Sequence, residues 1–326
     1  MRCFFRTFLF VLLALEGPLS FAAACPNRLL FELSRGGAQA YVFGTNHSGE
    51  TVAPTLSLEA MSALKLSGSV YFETARTERG NSSSGVASSF GEAMRLPPGQ
   101  RLSSLLDEDL YGQVSAAFAR IPRGSVLLAG LERRRPLLVV LVLISLPGHQ
   151  SLAVAPTQTA GDEAGKFSLD NTIFDAAKQE RKPIRALEDG KTLAQSFDLS
   201  IEREIEVLRA ALALLRSEGS QRELASKQKS IARLLRDGEI DLAVESQADA
   251  YRSVGLSDFF RVVFDERNEF FVKRIEELSQ PGHKPFFAIG ALHLGGRSGV
   301  LQSLRDRGFV VKAVPQRPSC YSRNRH

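Results

Sequence analysis

Residues 29–47, LLFELSRGGAQAYVFGTNH, carry the pattern that decides the fold. Two short runs, LLFELS and AYVFG, flank Arg35-Gly36-Gly37, a hairpin turn signal, and the second runs straight into Gly44-Thr45-Asn46-His47. The pattern returns near the C-terminus, where KPFFAIG empties into Gly290-Ala291-Leu292-His293. Between these two, SVYFET carries Glu73 at its end and IRALE closes on Glu188, each preceded by a stretch with helical composition. Helices alternating with short apolar strands predict an α/β fold, a central mixed, partly parallel sheet flanked by helices. Such sheets keep their sites at the carboxyl ends of the strands.

Beyond these strands, Arg76 to Gly91 is rich in Ser and Gly and reads as a loop or flap, and LSSLLDEDLYGQVSAAFAR after it has helical spacing. The run from Pro136 to Leu146 is apolar all round. It is shorter than the ~20 residues a membrane span needs, so it fits a buried helix better. Pro147 to Gly165 has loop composition, long enough to cover a site. Amphipathic helices are expected from Leu193 to Glu218, from Arg222 to Ala248 and over DFFRVVFDERNEFFVKRIEELSQ, then a helix over SGVLQSLRDRG and a last strand, FVVKAV.

The N-terminus, MRCFFRTFLFVLLALEGPLSFAAAC, places Arg2 and Arg6 ahead of an apolar run and ends on small residues, the order of a secretory signal. Cleavage after Ala24 leaves a mature domain of residues 25–326, periplasmic or secreted, with no stable membrane span. The competing reading is an N-terminal anchor, but the uninterrupted apolar stretch stops at Glu16. Loss of Arg2, Arg6 and Glu16 takes the formal charge from +5 to +4. The arginines are scattered apart from 133–135 and the tail, so no basic stripe points to nucleic acid. Cys3 leaves with the signal, and Cys25 and Cys320 are expected to pair in an oxidising compartment. Alternatively Cys25 is the lipidated first residue of a lipoprotein, although Ala22 stands where such sites usually carry Leu.

The two strand–Gly-x-x-His motifs hold two of the five histidines. Glycine at a strand end permits a tight exit, and a His three residues on can turn back over the sheet edge. Imidazoles gathered with carboxylates suit divalent-metal ligation or general acid/base work, and Glu73 and Glu188 are the carboxylates so placed. Equally, each His can cap a strand and each Glu can lie in solvent. His149, His283 and His326 read as surface residues, and no Gly-x-Ser-x-Gly elbow, HExxH helix or phosphate-binding glycine loop is present.

The stretches FGTNH, VYFET, LPPGQRLSSLL, LDNTIFDAAKQERKPIRALE, DERNEFFVKRI and FAIGALHLGGRSGVLQSLRDRGFVV, in that order, resemble the TraB/GumN family, which includes the Tiki metalloproteases. The resemblance implies a single α/β domain akin to erythromycin esterases and ChaN, with both Gly-x-x-His motifs at one site. It implies metal-dependent peptide hydrolysis in the Tiki branch, with functional positions falling on His47, Glu73, Glu188, Arg267 and His293, and Asn268 beside the arginine. Asn46, where the family usually has an apolar residue, and Phe270-Phe271, where a Trp is common, depart from the pattern.

The expected function is therefore an exported hydrolase of peptides or proteins, with His47, His293 and Glu73 holding Mn, Co or Zn. Glu188 would be general base or a further ligand, and Arg267 would hold a substrate carboxylate or an ionised glutamate. By another reading Arg267 merely pairs with Glu266 or Glu269. The rivals are a metal-independent, esterase-like hydrolase and a non-catalytic periplasmic binding or regulatory protein. The oligomeric state is not legible in the sequence.

Overall fold

The computed structural model describes residues 29–45, 55–76, 84–145 and 168–316. The hairpin forms as its turn signal predicts. Strand β1 (Leu30–Arg35) pairs antiparallel with β2 (Ala38–Thr45), and the turn holds Gly36 and Gly37 at φ of 56° and 84°, left-handed values that glycine adopts without strain. The remaining strands are β3 (Ser69–Thr74), β4 (Ile184–Glu188), β5 (Pro285–Gly290) and β6 (Val310–Ala313). They build one mixed sheet in the order β4-β3-β5-β2-β1-β6. The run β4, β3, β5, β2 is parallel, whereas β1 is antiparallel to both its neighbours.

The middle of this sheet is covered on both faces, which explains why PFFAIG has no polar alternation: every residue of β5 is buried. Period-two geometry divides the side chains between two cores. Phe43, Phe72, Phe286 and Ala288 face the helices Leu58–Leu66 and Leu169–Gln179. Val42, Tyr71, Phe287 and Ile289 face the helices Asp265–Leu278 and Val300–Asp306. Cross-strand aromatic pairs bind the register, with Tyr71 and Phe287 centroids 5.4 Å apart and Phe43 and Phe286 centroids 6.1 Å apart. The edge strand β6 is short and mostly exposed and carries Lys312, features that discourage further strand pairing.

A third core is purely helical, built between residues 84–145 and 190–264. At its centre lies the apolar helix Pro136–Ser145, where Leu137, Val139, Val140 and Leu143 are fully buried, as its all-round apolar sequence predicts. Among the described residues no helix is long and apolar enough to cross a membrane. Leu292 packs against both the helical core and a sheet core, so the turn that carries His293 lies where the two meet.

Several helical expectations are corrected. Part of the stretch read as a loop or flap is the helix Ser84–Ala93, which pairs with Gly190–Ser196; Phe90 meets Phe197 edge-on at 5.8 Å, and packing overrides weak local propensity. Each expected long helix is broken at a cap. Asp107 accepts from the Leu110 amide and starts Glu108–Ala119, Ser200 starts Ile201–Arg216, and Gly238 at φ 84° ends Glu218–Asp237 before Ile240–Arg252 begins. DFFRVVFDERNEFFVKRIEELSQ forms the helices Ser257–Val263 and Asp265–Leu278, with Phe264 between them. The signal segment, Asn46, His47, the loop Pro147 to Gly165, Cys25 and Cys320 lie outside the described residues.

Candidate active site

The strand order changes direction between β3 and β5: the chain after β3 returns to the sheet at β4, while the chain after β5 crosses to β6 at the far edge. The carboxyl ends of this neighbouring pair therefore leave a crevice, the usual location of sites in open α/β sheets. In β3, Tyr71 and Glu73 share a face. The β3–β5 ladder stops at Phe72–Ala288, and just beyond it Glu73 Oε1 accepts the amide of Gly290 at 2.6 Å. Glu188 stands at the end of β4 opposite Thr74, its side chain fully buried. Gly290 has an ordinary φ of −52°, so its use here is the amide it offers Glu73 rather than an unusual backbone conformation. Gly44 in the first motif answers to close packing, because a β-carbon there would lie 2.8 Å from Leu29 Cβ and 3.0 Å from Leu294 Cδ1.

Arg267 enters from the first turn of the helix Asp265–Leu278 and joins these groups. Its Nη2 donates to Glu73 Oε2 at 2.8 Å and also to Glu188 Oε1, and its Nη1 lies 3.3 Å from His293 Nε2. Phe271, one turn on, lies beneath the guanidinium at 5.0 Å. The local ion pairs that the sequence also allowed are not made: Glu266 pairs with Arg261 and Glu269 with Arg307. The His293 ring is packed between Phe264, centroids 5.0 Å apart, and the edge-on Phe271 at 5.1 Å. Its Nδ1 is 2.7 Å from Asn268 Oδ1, and Asn268 Nδ2 donates to the Ser298 carbonyl at 3.0 Å.

Burial sets the electrostatics. Removal from water pushes the Glu188 carboxyl up to about 7, against the pull of Arg267 and with a further push from Glu73 and Asp189. Burial alone would lower Arg267, but Glu188 and Glu73 outweigh it, and the guanidinium stays charged above its ordinary range. Glu188 Oε2 is buried with no hydrogen-bond partner among the described residues. A carboxyl group poised near neutrality in a cleft, beside an imidazole and a fixed cation, has the properties of an acid/base centre.

His293 Nε2 and Glu73 Oε1 are 4.0 Å apart. Metal–ligand bonds of ~2.0–2.2 Å place donors roughly 3–4 Å from one another, so this imidazole–carboxylate pair fits two positions of a divalent-metal shell. Among the described residues no group of three His, Cys, Asp or Glu side chains forms such a shell. The third expected ligand, His47, lies two residues beyond the last described residue of β2, whose partner in β5 is Gly290.

One neighbouring group was not singled out from sequence. Arg76, three residues after Glu73, donates to Asn171 Oδ1 at 2.5 Å, lies 3.6 Å from Asp170 Oδ1 and sits over Phe72. It ties the strand that carries Glu73 to the start of Leu169–Gln179, and burial lowers its guanidinium while Asp170 and Glu73 partly offset that. Its position just past a strand-end carboxylate was the available signal, hidden by the Ser- and Gly-rich residues that follow.

The family model for TraB/PrgY/gumN matches residues 29–313, and the chain belongs to that family. No curated protein and no solved structure gives a match.

Proposed function

We propose that this member of the TraB/PrgY/gumN family is an exported metal-dependent hydrolase that cleaves peptide bonds, with His47, His293 and Glu73 holding the metal and Glu188 acting as general base. One observation carries the reading: Glu73, Glu188 and His293 arrive from three separate elements and converge on Arg267 in a buried cluster at the carboxyl edge of the sheet. Burying two carboxylates and an arginine costs several kcal/mol per ion unless they pair well. A purely structural role is more cheaply filled by apolar side chains.

A divalent metal bound there would polarise the scissile carbonyl and lower the pKa of a water. The chain's own residues do the rest. Glu188, held near neutrality by burial, can take a proton from water at one step and return it at another. Arg267 fixes both carboxylates in place, and Phe264 and Phe271 shield the imidazole from solvent. Export is supported by the charged, then apolar, then small-residue order of the N-terminus.

The test is cleavage of a peptide library by the purified full-length mature protein, with Mn, Co or Zn added and then removed by EDTA. The expected result is metal-dependent cleavage that falls by roughly 10²–10⁴-fold in Glu188→Gln, with bound metal lost in His293→Ala. Protein without stoichiometric metal, and no activity gained from any of the three, would overturn it.

A metal-independent, esterase-like hydrolase is favoured by one feature: Arg267 Nη2 already supplies a cation to both carboxylates. Activity that survives EDTA and vanishes in His47→Ala selects that route. Ligand binding weakened by Glu73→Ala, with no turnover on peptides or esters, leaves a binding protein.

A further inference from the structure

An imidazole has two nitrogens, and the groups around it decide which one carries the proton. At His293 both sides give the same answer. On one side the Asn268 amide can face the ring in only one way, because its other end meets the Ser298 carbonyl at 3.0 Å, and a carbonyl only accepts. The NH2 group must point there, which leaves Oδ1, also only an acceptor, 2.7 Å from His293 Nδ1. Nδ1 must therefore donate. On the other side Nε2 lies 3.3 Å from Arg267 Nη1, and a guanidinium only donates. Nε2 must therefore present a lone pair.

The other neutral form fails by the same count. The opposite tautomer sets a lone pair against a lone pair at Asn268 and a proton against a proton at Arg267. The imidazolium keeps the first contact and sets Nε2–H near both the guanidinium, at 3.3 Å, and Glu73 Oε1, at 4.0 Å, so the Asn268 contact fixes the proton on Nδ1 in either charge state. A ring flip would remove both nitrogens from their partners, and Phe264 and Phe271 pack against the ring at centroid distances of 5.0 and 5.1 Å. Asn268 is itself braced. Ser298 Oγ donates to Asp265 Oδ1 at 2.6 Å, fastening the loop to the same helix turn that presents Asn268.

We propose that Asn268, oriented by the Ser298 carbonyl, is a positioning residue that fixes a proton on His293 Nδ1, so that the neutral ring is the Nδ1–H tautomer with its lone pair at Nε2, on the side of Arg267. A carboxamide or carboxylate behind an imidazole commonly sets ligand orientation and basicity in this way. The tautomer holds whether or not the site hydrolyses anything, so its test is separate from that of the hydrolase reading.

The experiment is long-range 1H–15N correlation on full-length mature protein labelled at histidine nitrogens, metal-free at pH 8, with the His293 signals identified by their loss in His293→Gln. The expected result is one tautomer, with a protonated Nδ1, an unprotonated Nε2 and an exchange-protected Nδ1–H. Asn268→Asp keeps an acceptor oxygen and should retain that pattern. Asn268→Leu removes it and should give tautomer-averaged nitrogen shifts with the protected proton lost. An Nε2–H tautomer or averaged shifts in the wild type would overturn the proposal, as would an Asn268→Leu spectrum identical to wild type. The wild-type and Asn268→Asp spectra decide the matter if the leucine variant fails to fold.

Discussion

The helix Asp265–Leu278 joins two arginine–glutamate networks that differ chiefly in burial. Near its start Arg267 bridges Glu188 and Glu73, with side-chain exposures of 10 %, 0 % and 13 %. Farther along, Arg307 pairs with Glu269 and Glu276, and Glu276 also pairs with Arg35, with Arg35 and Glu276 about one-third exposed. In the outer network the Arg35 hydrogen bond lowers the Glu276 carboxyl, which remains a plain ionised staple between β1 and the helix. In the inner one desolvation outweighs the same partner chemistry and raises Glu188 to about 7. The same residue types thus give a fastening in one place and a reactive group in the other, and the dielectric around them makes the difference.

The harshest test of that contrast is Arg267→Met, which leaves two buried carboxylates without a cation. Urea unfolding should show a loss of about 3–5 kcal/mol, largely recovered when Glu188→Gln is added. A loss below about 1 kcal/mol would mean that water reaches the cluster freely.

Next in size is a pH effect. Because the folded-state pKa of Glu188 is raised from 4.5 to about 7, the folded protein binds more protons than the unfolded chain between those values. This carboxyl's contribution is therefore fully present below the unfolded pKa and is lost as pH rises to about 7, an effect of up to about 3 kcal/mol. Denaturation midpoints of Glu188→Gln across pH 4 to 8 should lack that decline. If the variant and the wild type run in parallel, the raised pKa is refuted.

Gly44→Ala probes the packing beneath the first Gly-x-x-His motif. A new β-carbon within 3 Å of Leu29 and Leu294 should cost about 1–3 kcal/mol in thermal or urea unfolding. Smallest of all, Glu276→Gln in the outer network should cost less than about 1 kcal/mol and lose most of that effect in high salt. A larger cost there would erase the distinction between the two networks.

The sequence made the sheet legible because its central strands are uninterrupted apolar runs bounded by Gly or Pro, as in Pro285 to Gly290. It made Glu73 legible for the same reason, as the first carboxylate after the run Val70 to Phe72, whereas Glu188 was legible as the carboxylate that closes the edge strand IRALE despite Arg185 within it. The helix breaks at Asp107, Ser200 and Gly238 were also readable as caps, but amphipathic periodicity runs through them and hides them. What periodicity cannot reveal is contact between distant side chains. Asn268 and Ser298 are 30 residues apart and Arg76 and Asn171 are 95 apart, and each pair meets only because the sheet order brings them together. The helix Ser84–Ala93 likewise exists through its partner Gly190–Ser196, which its own composition does not disclose.

Direct titration of Glu188 by its carboxyl 13C shift in labelled protein, assigned by difference against Glu188→Gln, tests whether burial rather than the Arg267 pair governs the inner cluster. The expected midpoint is near 7 with Arg267 in place. A midpoint at or below the ordinary carboxylate value of 4.5 would show that Glu188 is a simple ion-pair partner like Glu276, and the case for a poised base in this cleft would fall.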